Sequence, residues 1–87
     1  MNDPMQIEIT LFGPFRKYGA HLTVNAPSDS TVTTLRPLLI EEFRRMHPTF
    51  NEDELVGESA LADDEEILTE GSRLSKRLSL LPPVCGG

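Results

Sequence analysis

The chain holds one cysteine, Cys85, in 87 residues, so no internal disulfide can form. Cysteine this sparse fits a reducing cytoplasm. Tryptophan is absent, and the only two histidines, His21 and His47, have no metal-ligand spacing. No metal site is expected, and both histidines read as surface residues at element ends. No apolar run approaches the ~20 residues of a membrane span, and the opening "MNDPMQ" lacks a charged-then-apolar secretion signal. Positive charge is scarce, with 8 lysines and arginines against 14 acids and a net charge of −6. This argues against nucleic acid or an anionic membrane as partner, since both demand a basic face. A protein partner with a basic dock fits better. Phosphate loops, dinucleotide fingerprints and an arguable Ser–His–Asp constellation are also missing. The densest charge run, "DDEE" (Asp63 to Glu66), lacks the alternating acids around a glycine that a calcium loop needs. It reads as a solvated turn, with electrostatic docking on a basic partner as the other reading.

What is present suits one small domain: 38 % hydrophobic and 25 % charged residues, a soluble globular balance with room for a modest core. Residues 1–4 are expected to form a loose leader. "MQIEITLF" then alternates with a period of two, turning Met5, Ile7, Ile9 and Leu11 inward and Gln6, Glu8, Thr10 and Phe12 outward, which predicts a half-buried strand. Gly13-Pro14 ends it and "FRKYG" carries a turn. "HLTVNA" predicts a second strand of the same hairpin, with Leu22, Val24 and Ala26 inward. After the turn cluster at residues 27–30 the period changes. Val32, Leu35, Leu38, Leu39, Phe43 and Met46 form the stripe of an amphipathic helix, capped by Thr31 or a nearby serine and ended by His47-Pro48. Pro37 predicts either a late start near Thr33 or Thr34, or a kink. "NEDEL" is a loop or one helical turn, "ESALA" a short strand, "EIL" another and "EGS" a turn. "RLSLL" is the closing strand, with Leu78 and Leu80 inward and Ser79 and Leu81 outward. The order predicts an α+β fold, with one main helix packed across one face of a mixed sheet of four to five strands. Residues 1–81 make the domain and 82–87 an extended tail.

That tail, "PPVCGG", is the segment whose composition points to chemistry. Gly86 and Gly87 have no Cβ, so they can thread a channel too narrow for other residues and bring a carboxylate to a reactive centre. Pro82 and Pro83 favour a stiff, extended exit from the last strand. A carboxylate becomes an acyl donor only once activated, for instance as an acyl-adenylate, and a tethered acyl group divides a hard reaction into easier steps.

The chain resembles the ubiquitin-like sulfur carriers of the MoaD/ThiS type, which include the small subunit of molybdopterin synthase. The resemblance lies in "LFGPFR" (Leu11 to Arg16), in the helix entry "TVTTL" (Thr31 to Leu35) and above all in Pro-Pro-Val-x-Gly-Gly at Pro82 to Gly87. It implies a β-grasp fold, with the first and last strands adjacent and parallel. It also implies a carrier, not an enzyme: the Gly87 carboxylate is adenylated by a ubiquitin-activating-type adenylyltransferase and converted by a persulfide sulfur donor to a thiocarboxylate. The thiocarboxylate then passes its sulfur to an acceptor synthase subunit. ATP and magnesium are needs of the activating partner, and this chain itself binds no cofactor. The other reading is a ubiquitin-like modifier joined through Gly87 to target lysines; a plain interaction domain is a third.

In that fold Phe12 and Leu81 meet on the open sheet face beside the tail as an exposed apolar docking patch, continued by Pro82, Pro83 and Val84. Arg16 either orients a partner or stays solvated. Cys85 stands where the molybdopterin-type members often carry serine or threonine, and is either a small spacer or a reactive thiol. From Gly71 the approach "SRLSKRLSLL" is longer than in those members, which leaves the sulfur acceptor open: molybdopterin, thiamine or another metabolite.

Overall fold

The computed structural model describes residues 4–83. Strand β1 (Pro4–Leu11) pairs antiparallel with β2 (His21–Pro27), and its first residue, Pro4, already pairs with Pro27. Proline is tolerated at both strand ends because neither position has to supply an interior ladder donor. The alternation in the sequence translates directly into burial. Ile7, Ile9 and Leu11 on β1, and Leu22, Val24 and Ala26 on β2, lie under helix α1 (Val32–Met46), while the residues between them face out.

Helix α1 begins at a capping box, in which the Thr31 side chain accepts from the backbone of Thr34 and Thr34 Oγ1 accepts from the Thr31 N–H at 2.9 Å. It ends at His47, whose N–H donates to the Phe43 carbonyl at 2.7 Å. The helix therefore starts at Val32, and the late start expected from Pro37 does not occur. Pro37 lies in the second turn on the exposed side. Thr33, whose carbonyl its missing N–H would have served, is exposed too, so water can satisfy that carbonyl. Val32, Leu35, Leu39 and Phe43 form the fully buried line of the helix. Met46, the last member of the expected stripe, is 43 % exposed, because rings from elsewhere occupy the space below the final turn. Phe43 stacks on Phe15 with centroids 5.6 Å apart and on Phe50 at 4.8 Å, and Tyr18 sets its edge against both Phe43 and Phe50 at 5.3 Å.

Helix α2 (Asp53–Glu58) develops from the "NEDEL" stretch and runs through Gly57, leaving only Ala60–Ala62 for strand β3. Strand β4 (Arg77–Leu81) enters between β1 and β3, and the sheet order is β2-β1-β4-β3 with β1 and β4 parallel. Leu78 and Leu80 point into the core, as the sequence pattern requires. "EIL" is not a strand. Only a single bridge, Ala62 to Ile67, survives there, and the Ile67 side chain is 63 % exposed. Two backbone bonds close this bridge, Leu68 N–H to the Leu61 carbonyl at 2.7 Å and Asp63 N–H to the Glu66 carbonyl at 3.0 Å, and the turn after it adds a second anchor. The Glu70 carbonyl accepts from the Thr33 N–H at 3.1 Å, and its carboxylate accepts from Arg36 Nη2 at 2.6 Å. Arg36 Nη1 also donates to the carbonyls of Val56 at 2.9 Å and Ser59 at 2.6 Å. One half-buried guanidinium thus ties α1, the end of α2 and the approach to β4 together.

Candidate functional site: the end of the central strand pair

Because β1 and β4 run parallel, their C-terminal ends emerge side by side at one end of the sheet. The last registered pair is Leu11 with Leu80, both fully buried. One residue further on each strand come Phe12, 39 % exposed, and Leu81, half-buried, with Ala60 of β3 opposite Leu81. Elsewhere the open face of the sheet is polar apart from the small Ala62 of β3: Gln6, Glu8 and Thr10 on β1, His21, Thr23 and Asn25 on β2, Arg77 and Ser79 on β4. The aromatic inventory sharpens the contrast. Of four phenylalanines and one tyrosine, Phe15, Tyr18, Phe43 and Phe50 pack together, and Phe12 alone is left to solvent.

The loop after Phe12 is a 3-10 helix, Gly13–Tyr18, built to be rigid. Pro14 sits in its first turn, where the missing N–H costs little. Phe15 is completely buried against Phe43, and the Tyr18 hydroxyl donates to Glu52 at 2.7 Å, with Lys17 on the same carboxylate at 3.3 Å. Burial, then the Glu52 carboxylate, holds the Tyr18 phenol above its usual pKa, so it remains a donor. Arg16 is exposed on this loop. Gly13 has φ +58, and a Cβ placed on it would lie 2.9 Å from Pro82 Cγ. The sequence flagged the two residues separately, one as a strand breaker and one as a stiff exit; their contact is visible only in three dimensions. Pro82 is half-buried there and Pro83 exposed. Val84, Cys85, Gly86 and Gly87 lie outside the described residues.

Next to the apolar end on the same face, where Thr10 and Ser79 precede Phe12 and Leu81 by two residues, Glu8, Thr10, Asp63, Asp64, Arg77 and Ser79 border a shallow polar depression of about 220 Å³. Asp63 organises the "DDEE" turn: its Oδ1 accepts from the N–H groups of Glu65 and Glu66, both at 2.8 Å. Those backbone donors hold its carboxyl below the usual carboxylate range. Asp64, Glu65 and Glu66 are exposed. Among the described residues no group of three or more His, Cys, Asp or Glu side chains is placed to hold a metal ion. No helix among them is long and apolar enough to cross a membrane.

No family model and no curated protein matches the chain. Solved structures do. SAMP1 from Haloferax volcanii superposes with a TM-score of 0.67 over 94 % of this chain and 99 % of its own, at 23 % identity. The fold is the ubiquitin-like β-grasp. The HVO 2177 protein of Haloferax volcanii agrees, with a TM-score of 0.67 over 97 % of this chain and 88 % of that one, at 22 % identity. In the β-grasp, as here, the central parallel pair delivers the C-terminal segment beside the end of the first strand.

Proposed function

We propose that this chain is a ubiquitin-like sulfur carrier with Gly87 as its acyl end. The observation that supports the reading most is the continuity of β4 with Pro-Pro-Val-Cys-Gly-Gly at the one apolar end of an otherwise polar sheet face. Phe12, Leu81, Pro82, Pro83 and Val84 form the docking surface for a ubiquitin-activating-type adenylyltransferase, and Arg16 borders it. The Gly87 carboxylate attacks the α-phosphorus of ATP and releases pyrophosphate, giving an acyl-adenylate. A persulfide sulfur then displaces AMP to form an acyl disulfide. A thiol reduces that bond, leaving a thiocarboxylate on Gly87 and a disulfide on the donor side. The thiocarboxylate sulfur goes on to an acceptor synthase, of which molybdopterin synthase is one example. ATP and magnesium belong to the activating partner, and Gly86 keeps the approach slim. Catalysis of activation and transfer resides in those partners.

Intact mass spectrometry tests this after incubation with ATP, magnesium, the adenylyltransferase and a persulfide donor. The carrier gains about 16 Da as sulfur replaces oxygen at its acyl end. A chain lacking Gly87 keeps its fold and gains nothing. Conjugates to lysine-bearing proteins, with no such species, instead mark a protein modifier. Full function of the truncated chain refutes both acyl readings in favour of a plain interaction domain. Replacing Cys85 by serine decides whether the thiol acts: unchanged sulfur loading makes it a spacer.

A further inference from the structure

We infer that Gly13 is a positioning residue: its bare α-carbon is the seat on which the Pro82 ring rests, and this seat fixes the direction in which the tail leaves the sheet. The inference rests on the carrier reading and adds to it a residue that does not touch the reacting end. Three ring atoms of Pro82 converge on the place a Gly13 Cβ would occupy, Cγ at 2.9 Å, Cδ at 3.8 Å and Cβ at 3.9 Å. A proline ring can pucker but cannot swing aside, so a side chain at residue 13 displaces the backbone at Pro82 instead of a flexible side-chain end. The seat is itself immobilised. Two residues later Phe15 is fully buried against Phe43, and five residues later Tyr18 is tied to Glu52 and wedged against two rings. On the other side, Leu80 is fully buried and paired with Leu11. Both halves of the contact are anchored to the core, so the ring is held between two fixed bodies.

The consequence follows from leverage. A tail that must enter a narrow active site gains from an aimed base, because misplacing a reacting group by about 1 Å can cost roughly a hundredfold in rate. Docking through the apolar surface brings the partner to the sheet; the Gly13–Pro82 contact decides where the tail points once it is there. Disturbing it should therefore lower the rate of the bound complex and leave its formation unchanged.

The test is ATP–pyrophosphate exchange by the adenylyltransferase with the full-length chain as substrate. Gly13→Asn is the informative variant, because asparagine tolerates the left-handed conformation that Gly13 adopts while adding the Cβ. Gly19→Ala is the control. Gly19 also has a positive φ, +131, but the nearest atom to an added Cβ is the His21 carbonyl oxygen at 3.8 Å, so it strains the same loop without touching Pro82. Gly13→Asn is expected to lower kcat by about tenfold or more at unchanged KM, with Gly19→Ala within about threefold of wild type. In a Pro82→Ala background, Gly13→Asn is expected to add less than about a twofold effect, since its target is gone. Loss of the Gly13–Pro82 nuclear Overhauser contact in the variant checks the geometry directly. Equal losses in the two glycine variants, or a full additional effect without Pro82, overturn the seat while leaving the carrier reading intact. If the wild-type chain supports no exchange, the carrier reading itself fails.

Discussion

Arg36 sets the most demanding stability test, because one side chain serves three segments. Arg36→Met keeps the aliphatic stem and removes every hydrogen bond. Nη1 now donates to the Ser59 carbonyl at 2.6 Å and the Val56 carbonyl at 2.9 Å, and the Arg36 side chain is only 16 % exposed. Hydrogen bonds from a charged donor contribute about 1.5–3 kcal/mol each. The Val56 carbonyl retains the Ser59 N–H at 3.2 Å, so its loss is partial, whereas that of Ser59 is larger. The sum is a destabilisation of ~2–4 kcal/mol. The Glu70 arm is left out, because its carboxylate is mostly exposed and solvent screens the pair. For a domain of this size the loss lowers Tm by roughly 10–25 °C. Urea and thermal unfolding followed by circular dichroism measure it, with Arg36→Lys expected between wild type and Arg36→Met and Glu70→Gln close to wild type. An Arg36→Met midpoint within error of wild type would refute the account of the guanidinium as the tie between α1, α2 and the approach to β4.

Phe12→Ser should leave the unfolding midpoint nearly unchanged while weakening binding of the adenylyltransferase by roughly 30-fold, the scale of a central aromatic anchor, as read by calorimetric titration. Phe43→Ala removes the ring on which Phe15, Tyr18 and Phe50 pack; it is expected to cost about 3–5 kcal/mol and to leave the chain largely unfolded by circular dichroism at 37 °C. The folded-state pKa of Asp63 is depressed by the Glu65 and Glu66 N–H groups, and that of Glu70 chiefly by its hydrogen bond from Arg36. The stability these carboxylates add is complete above their unfolded pKa values and is lost as pH falls through the depressed ones, so the loss begins below about pH 4. Asp63→Asn, which keeps an oxygen acceptor for the turn but no titration, should flatten that acid limb in pH-dependent urea unfolding; an unaltered slope contradicts it.

Alternation and helical spacing specified most of the architecture because both are local. Each of β1, β2, α1 and β4 carries its own repeat of inward residues, and apart from Met46 at the end of α1 each repeat turns toward the core as its period requires. Most of the departures involve groups whose partners are remote in sequence. Pro37 did not delay α1, because the capping box at Thr31 and the bond from the Thr33 N–H to Glu70 hold the first turn. "EIL" has a strand-like composition but meets β3 at only one bridge before the chain turns, and Glu70 just beyond it bonds to Arg36, 34 positions away. Nothing in the sequence around Arg36 separates it from the other charged residues of α1; its low exposure and its carbonyl partners are visible only in the structure. At the candidate site, Phe12 and Leu81 could be placed outward by alternation, and Pro82 by its chemistry. The Gly13–Pro82 contact could not, since glycine announces a turn but not what lies against it.

The parallel pairing of β1 with β4 also imposes an order in time. The strand that begins the described chain must wait for the strand that ends it, because Ile9 and Leu11 find Leu78 and Leu80 only after everything between has been made. The β1–β2 hairpin and α1 draw on neighbours in sequence, whereas closing the middle of the sheet spans nearly the whole described chain and carries the larger loop-closure cost. Until it closes, Phe12 has no Leu81 beside it and Gly13 has no ring resting on it. A chain that has not closed its sheet therefore lacks the apolar surface at the ends of β1 and β4, and on the reading proposed above it would offer an activating partner nothing to dock on.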